Sequence, residues 1–178
     1  MTRTVYTYLR RFRRDERGQA TVEFIFYFSF VILILGASIE VGVVNLRNAM
    51  MDRGLDLTVR EIQLGTGAPP TYEEIKIAVC ERAAIIPQCQ ANLRLELVET
   101  SARNFTRIPE NADCQNAEEE VRPLRNFVYG KDNALMLIRA CLKYKPIFPA
   151  FAVGELIGKD DYGYAKLVAT SAFVQEPI

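Results

Sequence analysis

The residues best suited to chemistry in this chain are two glutamates that bracket an apolar segment. Glu23 precedes the segment and Glu40 follows it, and the run from 25 to 39 between them contains no charged residue. At a rise of ~1.5 Å per residue, the two carboxylates lie about 25 Å apart along a helix. A carboxylate just inside an apolar helix is costly and indicates both a function and a partner. Glu23 therefore needs such a partner, whereas Glu40 can lie at the far membrane interface.

The sequence lacks the signatures of catalysis. It contains no histidine, which excludes Ser-His-Asp and Cys-His catalytic groups, and no glycine-rich phosphate loop is present. We expect Asp160, Asp161 and the acidic run at 118–120 to be solvated loop charges rather than paired catalytic carboxylates. The prediction is a protein that is not an enzyme and uses no metal or cofactor.

The apolar segment predicts a transmembrane helix over residues 19–45. It approaches the roughly 20 apolar residues that a helix needs to cross a bilayer. Before Gly18 the chain has six arginines and two acidic residues, a net charge of +4, and because the whole chain is neutral the remainder carries −4. By the positive-inside rule, residues 1–18 form a cytoplasmic leader and the C-terminal part is translocated. We interpret the arginines as a topology signal rather than a lipid or nucleic-acid patch, because they lack an aromatic or repeat pattern.

All four cysteines fall in the part that we expect to be translocated: Cys80, Cys89, Cys114 and Cys141. An even number of cysteines on the oxidising side of a membrane indicates disulfides. We favour Cys80 with Cys89, because this pair closes a short loop, and Cys114 with Cys141, although three pairings are compatible with the sequence. A four-thiolate zinc site is disfavoured because no C-x-x-C spacing occurs.

The apolar helix is expected to continue out of the membrane as an amphipathic helix. After residue 44, polar residues alternate with apolar ones at near-helical spacing. The glycines and prolines at 65–70 should end this helix. The apolar residues of its outer half, which a domain should cover, are Leu46, Met50, Leu57, Ile62 and Leu64.

The rest of the chain predicts a small antiparallel sheet. Thr71 should cap a helix that runs to about Ala84. Residues 92–99 alternate as in a strand with one buried face, and further strands are expected at 134–144 and 164–174. Residues 101–133 show no period, and we expect a short helix near 117–121 and a disulfide at Cys114 that fixes this excursion. The fold class is α+β, with a long N-terminal helix packed on about three strands, and the outer domain comprises residues 46–178.

The segment around Gly18 resembles a known processing site. Arg17 is followed by Gly18-Gln19-Ala20-Thr21-Val22-Glu23-Phe24 and then by the apolar helix, which is similar to the processing site of type IV prepilins. Together with Ile39-Glu40-Val41-Gly42, and then residues 45–60, the chain resembles the TadE-like family, the minor pilins or pseudopilins of the tight adherence (Flp-type) pilus.

The resemblance implies a role for each matched residue. A prepilin peptidase would cut after Gly18, which would make Gln19 the new N-terminus, Glu23 the fifth residue and Phe24 the sixth. Glu40 and Gly42 would match the Glu-x-Gly of the family's helix. The implied partners are the inner membrane, the prepilin peptidase, other pilin and pseudopilin subunits and the pilus assembly platform. The implied location is the bacterial inner membrane, crossed once, with the C-terminal domain in the periplasm or incorporated into an extracellular pilus.

Charge pairing gives a physical reason for this processing. Cleavage would create an α-amine one helical turn from Glu23, and a paired carboxylate is tolerable in a low dielectric. In an assembled pilus the amine of a neighbouring subunit could pair with Glu23 and set the axial register. Gln19 departs from the phenylalanine of major type IV pilins, and an N-terminal glutamine can cyclise and remove the amine, which leaves N-methylation open.

Three small residues lie near one helical face beside Glu40. Gly36, Ser38 and Gly42 include a small-xxx-small spacing that permits close helix packing. Two alternative functions remain at this point: an uncleaved bitopic scaffold or adaptor of a secretion or pilus machine with a disulfide-bonded periplasmic domain, and an anchored periplasmic enzyme that uses residues 101–133.

Overall fold

The computed structural model describes residues 18–64, 69–101, 111–120, 122–124, 126–151 and 153–176. The predicted leader up to Arg17, the expected helix stop at 65–68 and most of the first part of the long excursion lie outside these residues. The elements, in chain order, are α1 (Gln19–Leu64), α2 (Tyr72–Arg82), α3 (Cys89–Asn92), β1 (Leu93–Thr100), β2 (Leu135–Tyr144), α4 (Val153–Leu156) and β3 (Ala165–Val174).

Helix α1 is one continuous element of 46 residues, as predicted. Its first half is long and apolar enough to cross a membrane, and none of its most apolar eighteen-residue window is buried in the protein. Its second half packs against α2 and β3. The prediction of a single helix with an apolar half and a domain-covered half is thus confirmed.

The buried face of the outer half of α1 is only partly the predicted one, since Ile62 packs against the core but three of the five expected residues are exposed. Met51, Leu55 and Val59 are almost fully buried, whereas Leu46, Leu57 and Leu64 are 53%, 39% and 77% exposed. Both stripes are apolar at helical spacing, so the pattern alone does not distinguish them. The distinction comes from the close approach of α2 to Gly54, where an added Cβ would lie 2.8 Å from the carbonyl oxygen of Val79.

Helix α2 begins as its sequence predicts. The Thr71 side chain accepts a hydrogen bond from the Glu74 backbone N–H, and the Glu74 carboxylate accepts one from the Thr71 backbone N–H, a complete capping box. Tyr72 contacts Phe127 edge-on at 5.0 Å, and its hydroxyl oxygen accepts a hydrogen bond from the Leu95 N–H of β1 at 3.4 Å. These contacts fix α2 against the edge of the sheet.

The sheet is an antiparallel meander in the order β1-β2-β3. Leu97 pairs with Ile138, which pairs in turn with Ser171, so these three positions share the inner face. That face forms the core with α1 and α2, and Ser171 donates a hydrogen bond to Asp56 of α1 at 3.1 Å. The structure therefore has the predicted α+β architecture of a long helix on a three-stranded sheet.

The outer face of β1 is also buried, contrary to the prediction of one buried face. Arg94 and Glu96 are only 7% and 4% exposed. Segment 111–124 covers them, and the Cys114–Cys141 disulfide attaches this segment to β2. The helix expected near 117–121 is not formed by the described residues there, because the Asn116 side chain accepts hydrogen bonds from the N–H groups of Glu118 and Glu119 and makes a turn.

Candidate functional site

Gly18 stands immediately before α1, in a turn. Its carbonyl oxygen accepts a hydrogen bond from the Val22 N–H at 3.2 Å and begins the helical pattern. Apart from its neighbours in the chain, no atom of the described residues lies within 4 Å of the position that a Cβ on Gly18 would occupy. The backbone at the predicted processing site is therefore exposed and unobstructed by the rest of the described chain.

Glu23 lies one helical turn after Gln19 and is exposed. Its carboxylate has no hydrogen-bond or ion-pair partner among the residues that the structure describes. Phe24 is 63% exposed and stacks on Phe28, with the ring centroids 5.5 Å apart. The start of α1 thus presents an unpaired carboxylate within an exposed aromatic surface.

Glu40 has a different environment from Glu23. It is 1% exposed, although the helix around it is largely uncovered. Its two carboxylate oxygens accept hydrogen bonds from the backbone N–H groups of Ile147 at 3.2 Å and Phe148 at 2.8 Å. Glu40 therefore holds residues 145–151, which we call the proline loop, against α1.

The interpretation of Glu40 as a carboxylate at the membrane interface without a particular partner missed these contacts. The two donors lie 107 and 108 residues away in the chain. The available signal was the pair of prolines at 146 and 149, because a proline-rich segment makes no regular ladder and its N–H groups need acceptors elsewhere.

Further contacts join the proline loop to α1. The Arg47 side chain donates a hydrogen bond to the Lys145 carbonyl oxygen at 3.3 Å and lies 5.2 Å from the centre of the Tyr144 ring. Burial, and secondarily the negative charge of Glu40, raises the pKa of the Tyr144 hydroxyl, while Arg47 opposes this shift. The loop, the end of β2 and the middle of α1 thus form one connected unit.

The three small residues near Glu40 occupy different surroundings. An added Cβ on Gly36 would lie 2.7 Å from the Phe151 ring, so this glycine packs against the proline loop. The Ser38 hydroxyl donates to the Ile34 carbonyl oxygen within α1 at 2.8 Å. Gly42 has open space around its Cβ position. Only Gly36 therefore makes its close contact within the described chain, and packing of Ser38 and Gly42 on another helix stays a prediction.

The structure contains both favoured disulfides, Cys80–Cys89 and Cys114–Cys141. The first joins α2 to α3 across nine residues, and the second joins segment 111–124 to the central strand across 27 residues. These covalent links indicate an oxidising location for the domain.

Ion pairs underneath segment 111–124 are buried and matched. Arg94 pairs with Asp113 at 2.9 Å and donates to the Pro123 carbonyl oxygen at 2.6 Å, and Arg139 donates to Glu96 at 2.6 Å. A cavity of about 330 Å³ lies beside Glu96 and Asp113. Because the buried charges are already paired with one another, we interpret them as groups that hold the segment on the sheet.

Three of the loop carboxylates expected to be solvated pair with lysines, whereas Glu120 and Asp161 are exposed as expected. Lys143 contacts Glu119 and lies 2.8 Å from Asp160, and Lys145 lies 3.1 Å from Glu118. Burial disfavours the charged form of Asp160, but the hydrogen bond and charge of Lys143 together with hydrogen bonds from the Tyr164 and Tyr162 N–H groups outweigh this effect and lower the pKa of the carboxyl. These contacts connect segment 111–124 to the loop before β3, so the expectation of solvated charges was wrong for Glu119 and Asp160.

Comparison with protein-family models, with curated proteins and with solved structures found no match.

Proposed function

We propose that this chain is a TadE-like minor pilin or pseudopilin of a tight adherence pilus, which a prepilin peptidase cleaves after Gly18 and which enters the pilus through α1. The observation that carries the proposal is Glu23. Its carboxylate is exposed on an apolar helix and has no partner among the described residues. Glu23 lies one turn after Gln19, the residue at which this helix starts.

The Glu23 carboxylate, which has no partner among the described residues, is the strongest argument for processing. An isolated carboxylate is disfavoured in hydrocarbon, and a nearby cation relieves that cost. A cut after Gly18 would place the new α-amine on the turn that precedes Glu23, or would offer it to Glu23 of a neighbouring subunit. Either pairing links the chemistry of the cut to the stability of the helix in the membrane.

The geometry of Gly18 is compatible with such a cut. A protease requires an accessible backbone that it can extend, and because glycine is a poor helix former, the turn at Gly18 opens at little cost. Gly18 lies outside α1, and its surroundings are open. The basic residues that precede it favour the cytoplasmic side of the membrane, where a prepilin peptidase acts on related substrates.

The outer domain is suited to a structural role on the opposite side. Two disulfides, a covered sheet and a helix that is shared between the domain and the apolar segment make one rigid subunit. In this proposal α1 stores the subunit in the inner membrane and later packs among the helices of the pilus or of its initiating complex.

The test is the mature N-terminus of the full chain, purified from native membranes with an active prepilin peptidase. We expect a wild-type protein that starts at Gln19, or at its cyclised form, and a Gly18→Leu variant that still starts at Met1. Gly42→Leu is the matched control, because Gly42 also has open space at its Cβ position, and it should be cleaved normally. A wild-type chain that keeps Met1 contradicts the proposal and supports an uncleaved bitopic scaffold.

Cleavage and assembly are separated by a second variant in the same experiment. Glu23→Gln should be inserted and cleaved, but it should be depleted from sheared pili relative to membranes because it lacks the charge that pairs with the amine. If its incorporation equals that of the wild type, Glu23 does not set the register, even where cleavage is confirmed.

A further inference from the structure

The proline loop and helix α4 expose an unusual concentration of large apolar side chains. Ile147, Phe148 and Phe151 are 44%, 37% and 38% exposed, and Leu156 is 84% exposed. They fall within ten residues of one another and lie on the side of the domain that contacts α1. Large apolar side chains exposed this close together in the chain indicate an interaction with a partner or a membrane.

The position of these side chains along α1 favours the membrane as the partner. Phe151 contacts α1 at Gly36, and the N–H groups of Ile147 and Phe148 bind Glu40. At ~1.5 Å per residue, Gly36 lies about 20 Å beyond Glu23 and about 25 Å beyond Gln19. Because the hydrocarbon core is ~30 Å thick, these contacts fall within the outer leaflet of a bilayer that α1 spans.

The backbone of the proline loop is adapted to this depth. Polar backbone groups in lipid need partners inside the protein. Residues 146 and 149 are prolines and have no N–H, and Glu40 binds the next two N–H groups after Pro146. The Phe151 N–H donates to the Phe148 carbonyl oxygen at 3.2 Å, and the Gly154 N–H donates to the Phe151 carbonyl oxygen at 3.1 Å.

Two cations bind the backbone of the proline loop and α4. Lys159 donates hydrogen bonds to the carbonyl oxygens of Pro149 and Gly154, and Arg47 binds the Lys145 carbonyl oxygen. Arg47 lies about 16 Å beyond Gly36 along α1. Apolar and aromatic side chains next to lysine and arginine match the chemistry of a membrane interface, where phosphates attract the cations.

We propose that the proline loop and α4 insert into the outer interfacial layer of the membrane that α1 spans, as a second anchor that fixes the domain on the lipid surface. Glu40 makes this possible, because it satisfies two N–H groups that would otherwise face lipid. The inference rests on the membrane-spanning position of α1 and does not require cleavage at Gly18 or incorporation into a pilus.

Single tryptophans test the proposal without background, because the chain has none. Phe148→Trp and Leu156→Trp report on the loop and α4. Phe30→Trp, at an exposed position in the apolar half of α1, reports on the bilayer, and Val174→Trp, at the opposite end of the sheet from the loop, reports on water. Each full-length variant is reconstituted into phosphatidylcholine vesicles with lipids brominated either near the headgroup or near the chain end.

We expect blue-shifted emission and strong quenching of Phe148→Trp and Leu156→Trp by the lipid brominated near the headgroup. Phe30→Trp should lose more fluorescence with deep bromine, and Val174→Trp should be unaffected by both. If the two loop reporters behave like Val174→Trp while Phe30→Trp is quenched, the loop is in water and the inference is overturned. If Phe30→Trp is also unquenched, α1 does not span the bilayer, and both this inference and the proposed function fail.

Discussion

Removing the Glu40 carboxylate should release the proline loop while the rest of the domain stays folded. Glu40 is the acceptor for the N–H groups of Ile147 and Phe148. Glu40→Leu keeps a side chain of similar length but removes both acceptors. Glu40→Gln keeps one carbonyl oxygen and places a donor group where the second acceptor was. The two variants should therefore weaken the loop to different extents.

The magnitude follows from the two hydrogen bonds. A buried donor left without an acceptor costs roughly 1–3 kcal/mol, so two such donors in Glu40→Leu cost about 3 kcal/mol once the relief from burying a carboxylate is included. Because ~1.4 kcal/mol corresponds to a factor of ten, the loop should open about a hundredfold more often. Glu40→Gln loses one of the two bonds and should show an increase of about tenfold.

Amide hydrogen exchange measures this opening directly. The Ile147 and Phe148 amides of the full chain should exchange slowest in the wild type, faster in Glu40→Gln and fastest in Glu40→Leu. All variants are compared in the same detergent micelles, so shielding by detergent is common to them. Val41→Leu is the control, because Val41 is the next residue along the helix and is 44% exposed.

The result that refutes this reasoning is equal exchange of the two amides in all four proteins. Exchange in the central strand gives the second control. Ala140 is fully buried. If its amide loses protection from exchange together with the loop amides, the variants have destabilised the whole domain, and Glu40 does not act on the loop alone.

The elements of the fold were predictable where the signal is local. The pair of Thr71 and Glu74 predicts the start of α2, and the alternation of apolar and polar residues after residue 92 predicts β1. Both signals are local, because a capping box and a two-residue period depend only on near neighbours. The absence of charge from 25 to 39 made the long helix evident. These local signals were sufficient to infer the α+β architecture.

Burial was less predictable, because it depends on contacts between distant segments. Arg94 and Glu96 occupy positions that a one-sided strand would expose, yet segment 111–124 covers them with matching charges. That segment has no period, so its location could be inferred only through the Cys114 disulfide. Leu46, Leu57 and Leu64 were expected to be covered by the domain and are exposed for a related reason. The position of α2 decides which face of α1 is buried.

In the candidate site too, the features set by local sequence were predictable and those set by distant contacts were not. Glu23 was selected as a carboxylate at the start of an apolar helix and Gly18 from the resemblance to a prepilin processing site, and the structure adds that both are exposed. The role of Glu40 in binding the proline loop was not accessible, because a carboxylate near the end of an apolar helix has the same sequence pattern whether water or backbone N–H groups surround it. The two cases differ only in a contact between Glu40 and Ile147, which are 107 residues apart in the chain.

Two further predictions concern the cover of the sheet. Replacing Cys114 and Cys141 together with alanine should lower the free energy of unfolding by about 3.5 kcal/mol, the loop-closure value for the 27-residue separation. Denaturant unfolding in detergent measures it, and an unchanged midpoint would show that the disulfide does not hold the cover. Asp160→Asn should lower the melting temperature most at neutral pH. The pKa of Asp160 is lowered from 3.8, so its ion pair stabilises the fold above that pH, and the stabilisation disappears as the pH falls through the lowered value. The difference in melting temperature from the wild type should therefore shrink below about pH 4. A difference that stays constant with pH would mean that the hydrogen bonds that Asp160 accepts from the N–H groups of Tyr162 and Tyr164, rather than its charge, provide the stability.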